Sequence, residues 1–153
     1  MPKLSLWVLS AHMDSCGSIN DLLLSFGVSG TWFAQPAKPD HYQLRVAFRG
    51  TAESAASLAS QLSRCSAPFE LETSAALPER YLYHPGLGII RQQLNEAGEV
   101  LLREDTVLQA VRAAEGNARE LERRLRLASG TSWLDLLETY RNHEGVRLLP
   151  KAV

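Results

Sequence analysis

Cysteine is scarce in this chain, with Cys16 and Cys65 the only two among 153 residues. Two thiols cannot staple a small domain, and neither has the spacing of a zinc site. A disulfide framework is therefore excluded, and both cysteines read as free thiols in or near helices. His12, His41 and His143 share no ligand spacing with one another or with the cysteines, so no metal and no cofactor is expected. Long hydrophobic runs are missing as well: no segment approaches the roughly 20 apolar residues of a membrane span. The apolar run at residues 4–9 is short and lacks a cleavage site before His12-Met13-Asp14, so it reads as a first strand of a cytoplasmic protein rather than a secretion signal. An excess of basic charge is absent too. Sixteen Lys and Arg face 17 Asp and Glu, for a net charge of −1, which argues against broad attraction to nucleic acid or anionic membrane. Gly86-Leu87-Gly88 is too short for a phosphate-binding fingerprint and leads into a strand, not a helix N-terminus.

What is present is enough for one well-filled core: 45% of the residues are apolar and 22% charged. Residues 4–9 are apolar at nearly every position, as in a strand buried on both faces. Ser18 is placed to cap a helix carrying Ile19, Leu22, Leu23 and Phe26 at helical spacing, with Gly27 at its C-terminal end. A short aromatic strand, Thr31-Trp32-Phe33-Ala34, is stopped by Pro36 and Pro39. Tyr42, Leu44, Val46 and Phe48 then alternate with Gln43, Arg45, Ala47 and Arg49 in the clearest strand of the chain. Gly50-Thr51 breaks it and caps a helix striped with Ala55, Leu58, Ala59 and Leu62. Pro68 leads into an alternating strand at 69–73.

Strand, helix, strand, strand, helix, strand is the split βαβ, or ferredoxin-like, order. The expected fold is α+β: a ferredoxin-like βαββαβ half over residues 1–76, its helices on one face of an antiparallel sheet, followed by a β-hairpin and helices over 77–153, packed on it as one unit. With Leu4, Leu6 and Val8 facing the helices, Ser5, Trp7 and Leu9 share the other face with Gln43, Arg45, Arg49, Glu70 and Glu72. That face carries Trp7 and Leu9 and so requires a cover, either the C-terminal half or a partner. In that half, residues 90–94 and 99–102 flank a turn with Gly98. Asp105 then caps a helix with Val107, Leu108 and Val111, and Asn117 with Glu120 resembles a capping box for a second helix, with Leu121, Leu125 and Ala128. A third carries Trp133, Leu136, Leu137 and Tyr140, and residues 146–149 suggest a last short strand.

Several of these residues also carry a likeness. Glu79-Arg80-Tyr81, then His84-Pro85-Gly86-Leu87-Gly88-Ile89, then the 95–98 turn, together resemble an actinobacterial family of unknown function, DUF3145. Gln35-Pro36-Ala37, Gly130-Thr131-Ser132-Trp133 and the 146–153 tail match it too. One departure stands near the start: similar sequences follow the early cysteine with Pro-His and an acidic–aromatic pair, whereas Cys16 here precedes Gly17-Ser18-Ile19-Asn20. The resemblance implies a bacterial cytoplasmic setting and no established reaction.

His84, with Glu79, Tyr81 and Tyr83 nearby, is the best general acid–base candidate, but no nucleophile or metal accompanies it in sequence. Arg45 and Arg49 share a strand face at a spacing suited to an anion, or to pairing with Glu70, Glu72 or acids of the C-terminal half. That strand's polar positions hold no aromatic, unlike the RNA-binding version of this topology. The loop 10–14 is acidic and lacks the glycine and arginine of the acylphosphatase version. Arg123-Arg124-x-Arg126 reads as a salt-bridged helix face or a contact for an acidic partner.

The leading expectation is a non-enzymatic protein-binding or regulatory module. Trp7, Arg45, Arg49, Arg80, Tyr81, Tyr83, His84 and Trp133 are its candidate contact residues, and Trp7, Trp32 and Trp133 its aromatic anchors. Its partner is a cytoplasmic protein. A large metabolic enzyme complex, such as an acyl-CoA carboxylase, is one guess that no residue carries, and a homo-oligomer stays open. The alternatives are a small-metabolite sensor using Arg45, Arg80 and Tyr81, and an enzyme with His84 as acid–base.

Overall fold

The computed structural model describes residues 1–35 and 38–141. Its elements in chain order are β1 (Lys3–His12), α1 (Met13–Ser25), β2 (Trp32–Ala34), β3 (His41–Arg49), α2 (Ala52–Leu62) and β4 (Phe69–Thr73), then β5 (Glu79–His84), β6 (Gly88–Leu94), β7 (Val100–Leu101), α3 (Glu104–Ala114), α4 (Ala118–Ser129) and α5 (Thr131–Arg141). The strands form one sheet in the order β2-β3-β1-β4-β5-β6-β7, with every neighbouring pair antiparallel. The protein is thus mixed α+β, with seven strands and five α-helices among the described residues. The sheet is larger than the sequence suggests. Residues 79–84 form a strand that pairs with β4 through Leu71↔Tyr81 and Glu72↔Arg80, so the sheet passes residue 76 unbroken. Tyr81 and Tyr83 are buried on one face and Leu82 on the other, which hides the period of two.

One sheet face packs on α1 and α2. Leu4, Leu6 and Val8 of β1 meet Ile19 and Leu23 of α1 and Leu58 of α2, all at most 2% exposed. Each such side chain contributes about 1.5–3 kcal/mol. The strand's alternation slips at an irregularity between Val8 and Ala11, which returns Ala11 to this core. On the opposite face Leu9 and Leu82 pack against Trp133 and Leu137 of α5, with Trp7 at the margin. The cover that Trp7 and Leu9 require is therefore supplied, in part, by α5.

Helix ends show where local signals win or lose. Thr51 caps α2 through a reciprocal capping box with Ser54. Ser18 caps nothing: α1 begins at Met13, capped by the His12 Nδ1 that accepts the Asp14 N–H at 3.2 Å. The strand runs straight into the helix, leaving no loop for a later start. Asp105 lies inside α3, whose N-cap is Arg103. The Asn117 side chain accepts the Glu120 N–H at 3.1 Å, whereas the Glu120 carboxylate turns to Arg123 instead of closing the box. The α3 stripe is also displaced: Ala110 and Ala114 are buried, and Leu108 and Val111 face outward. Small residues win because α3 packs chiefly on α4, where alanines permit close approach. Leu136 on α5 likewise faces outward. Residues 36 and 37, His143 and the expected strand at 146–149 lie outside the described residues.

Candidate functional site

Beyond the end of α5, the second sheet face holds a charged cluster. Trp7 and Arg45 stand opposite each other on β1 and β3, and the Arg45 guanidinium lies 3.7 Å from the Trp7 ring centroid. Arg141, the last residue of α5, approaches the same ring at 5.6 Å and pairs with Glu70 of β4. Arg80 of β5 joins the same carboxylate at 3.8 Å. Its Nε–H donates to Oε1 of buried Gln92 at 2.7 Å, and Gln92 Nε2 donates to the Ser129 carbonyl at 2.6 Å. The network thus runs from the sheet centre to the α4–α5 corner. A cleft of about 440 Å³ lies beside it, bounded by Ser5, Trp7, Arg45, Glu70, Glu72 and Arg141. The Trp7 Nε1–H is buried there without a hydrogen-bond partner among the described residues.

The candidates do not converge. Trp7, Arg45 and Arg80 join this cluster. Arg49, on the same face, instead donates to the Met1 carbonyl at 2.9 Å. Tyr81 and Tyr83 point to the opposite face, into the core under α1 and α2, where Tyr83 stacks on Phe69 at 5.5 Å. Burial first, and the Glu79 carboxylate next, hold the Tyr81 phenol above its ordinary pKa. Because successive strand residues alternate faces, Arg45, Arg80 and Tyr81 do not line one pocket.

His84 faces α5, its ring 6.5 Å from that of Tyr140. Its Nδ1 accepts the Gly86 N–H at 3.0 Å, the imidazole's only hydrogen bond among the described residues. That bond reinforces the tight β5–β6 turn, which the Leu87 N–H closes on the His84 carbonyl at 3.0 Å, and burial lowers the imidazole's pKa. Trp32 and Trp133 are not surface anchors. Trp32 Nε1–H donates to Asn20 at 2.7 Å, and Trp133 Nε1–H to the Gly88 carbonyl at 2.9 Å. Neither Cys16 nor Cys65 is in a disulfide, and burial raises the pKa of Cys65. No group of three metal-ligating side chains exists among the described residues.

A second surface is formed by β7, α3 and α4. Leu101 and Leu102 at β7, and Leu108 and Val111 of α3, are 36–48% exposed. A shallow depression beside them is lined by Leu102, Val107, Leu121 and Leu125. No α4 side chain is fully buried.

Gln92 and Arg141 were the residues hardest to see in sequence. Gln92 occupies an inward position between Ile90 and Leu94, so a polar residue in an apolar alternation was the available signal. Arg141 continues the buried stripe of Trp133 and Leu137 at a spacing of four, which places it over the sheet.

A mixed α+β protein built on a seven-stranded antiparallel sheet, with helices packed on both faces, is the class the fold defines. The chain belongs to the DUF3145 family, described as proteins of unknown function, whose model matches residues 5–148. No curated protein and no solved structure matches it. None of the described helices is long and apolar enough to cross a membrane.

Proposed function

We propose that this protein is a non-enzymatic docking module that binds another cytoplasmic protein through the α3–α4 helical pair and β7. The observation that carries the reading is the exposure of Leu101 and Leu102 at β7 and of Leu108 and Val111 on α3, each between 36% and 48% accessible. Exposed apolar side chains are unfavourable in water, and their burial by a partner contributes about 25 cal/mol per Å². The sheet then serves as a rigid base for the helical pair. The order β2-β3-β1-β4 with α1 and α2 on one face supports a ferredoxin-like unit within that base. The Gly130–Trp133 segment holds α5 on β6 through the Trp133 bond to Gly88, and so acts as architecture beneath the docking surface.

Affinity purification at native abundance tests the reading, comparing the natural chain with a Leu108→Glu/Val111→Glu variant of matched thermal stability. A stoichiometric partner recovered by the former and lost by the latter is expected. Equal recovery by both, or recovery of the chain alone in each, overturns it; light scattering separates self-association from a different partner.

A further inference from the structure

We infer that the groove between α3 and α4 receives an acidic amphipathic helix of the partner protein. The inference rests on the docking reading above and adds the chemistry of what docks. The groove, of about 710 Å³, is rimmed by Arg112, Arg123 and Arg124 and contains no acidic lining residue. Its walls include Ala113, Leu127 and Ala128. Small side chains let a third helix approach closely, and helix-in-groove recognition reads an apolar stripe flanked by charge.

The charge balance sets the sign of the occupant. Arg123 and Arg124 share one carboxylate, that of Glu120, at 2.6 and 2.9 Å. The Arg112 side chain makes no hydrogen bond or ion pair among the described residues. Three guanidiniums against one carboxylate leave the groove two charges positive, although the chain as a whole carries −1. Such a local field steers an acidic segment and rejects a basic one. A nucleic acid fits less well: no aromatic side chain lines the groove, and single strands bind by stacking on aromatic platforms.

The probe is a fluorescein-labelled synthetic helix of about 18 residues, with an Ala/Leu stripe flanked by glutamates. Its counterpart carries lysine at every glutamate position. Anisotropy is read at about 50 mM and about 500 mM NaCl, where screening separates charge from apolar contact. The acidic peptide is expected to bind with Kd in the tens of micromolar, roughly 10-fold more weakly to R112E and unchanged to R64E, an equal charge change on another face. The lysine peptide is expected not to bind, and high salt to weaken the acidic one. Amide shifts at Gln109, Ala113 and Ala128 locate the contact. R112Q replaces R112E if the latter lowers thermal stability. Absence of acidic-peptide binding, equal binding of the lysine peptide, equal weakening by R112E and R64E, or tighter binding of a single-stranded oligonucleotide overturns the inference. If partner recovery still depends on Leu108 and Val111 in that event, the docking reading stands and only the acidic occupant falls.

Discussion

A Cβ placed on Gly130 would stand 2.4 Å from Nε2 of Gln92, and Gly130 itself sits at φ +83°. The two residues are 38 positions apart and meet where the α4–α5 corner presses on β6. Gln92 is 2% exposed and spans the contact, accepting from Arg80 on one side and donating to the Ser129 carbonyl on the other. Any side chain at Gly130 would therefore displace the amide that ties the helices to the sheet.

Gly130→Ala is expected to cost about 2–4 kcal/mol, combining roughly 1–2 for a left-handed backbone with about 1–2 for the overlap. Gly116 provides the comparison, because its φ is +80° but nothing lies within 4 Å of a Cβ there. Gly116→Ala should show only the backbone component, about 1–2 kcal/mol. Urea unfolding of both variants measures the difference; equal losses would remove the steric part of the argument.

Trp133→Phe keeps most of the ring in the core but leaves the Gly88 carbonyl without its 2.9 Å donor. A loss of about 1–3 kcal/mol is expected for the orphaned acceptor, against about 3–5 for Trp133→Ala, which also opens a cavity. Chemical denaturation distinguishes the two. A Phe variant as stable as the natural chain would show that the Trp133–Gly88 bond adds nothing net.

These contacts show what the sequence could and could not reveal. Strands with one polar face, such as β3 and β4, and the α2 stripe declared themselves through period, because burial on one side imposes it. β5 did not, since Tyr81 and Tyr83 are buried under α1 and α2 while Leu82 is buried under α5, which erases the alternation. The start of α1 was hidden for another reason: His12 is a capable but uncommon cap, and Ser18 looked better. In the charged cluster, Trp7 and Arg45 were legible as neighbours on one face. Arg141 was not, because its position over Glu70 depends on how α5 crosses the sheet, a long-range fact that no local pattern encodes.

The His84 turn should weaken in mild acid. Burial holds the imidazole below its ordinary pKa of 6.5, so the folded chain favours the neutral ring. The associated stability is fully present above 6.5 and is lost as pH falls below that value toward the folded pKa. Protonation at Nδ1 also removes the acceptor for the Gly86 N–H. His84→Asn keeps a side-chain acceptor that does not titrate. Unfolding free energies between about pH 7.5 and 5.5 should fall more steeply for the natural chain than for this variant. Parallel slopes would assign the pH dependence to other groups, and a His84 NMR midpoint above 6.5 would contradict the burial argument directly.

Glu120 supplies the opposite case, a half-buried carboxylate stabilised by its partners. The hydrogen bond from Arg123 is the largest cause of a pKa pushed down to about 2, with the charges of Arg123 and Arg124 adding to it. Folded depression means the pair's contribution is present above the unfolded value near 4.5 and lost as pH falls through about 2. A carboxyl-detected NMR titration should therefore give a midpoint near 2 for Glu120. Arg123→Gln should raise it strongly and Arg124→Gln less, because Arg123 reaches both carboxylate oxygens, at 3.0 and 2.6 Å. Salt should move the midpoint upward in the natural chain, since the pair lies open to solvent. Equal shifts from the two substitutions would mean that net charge, not the bidentate geometry, holds Glu120 ionised.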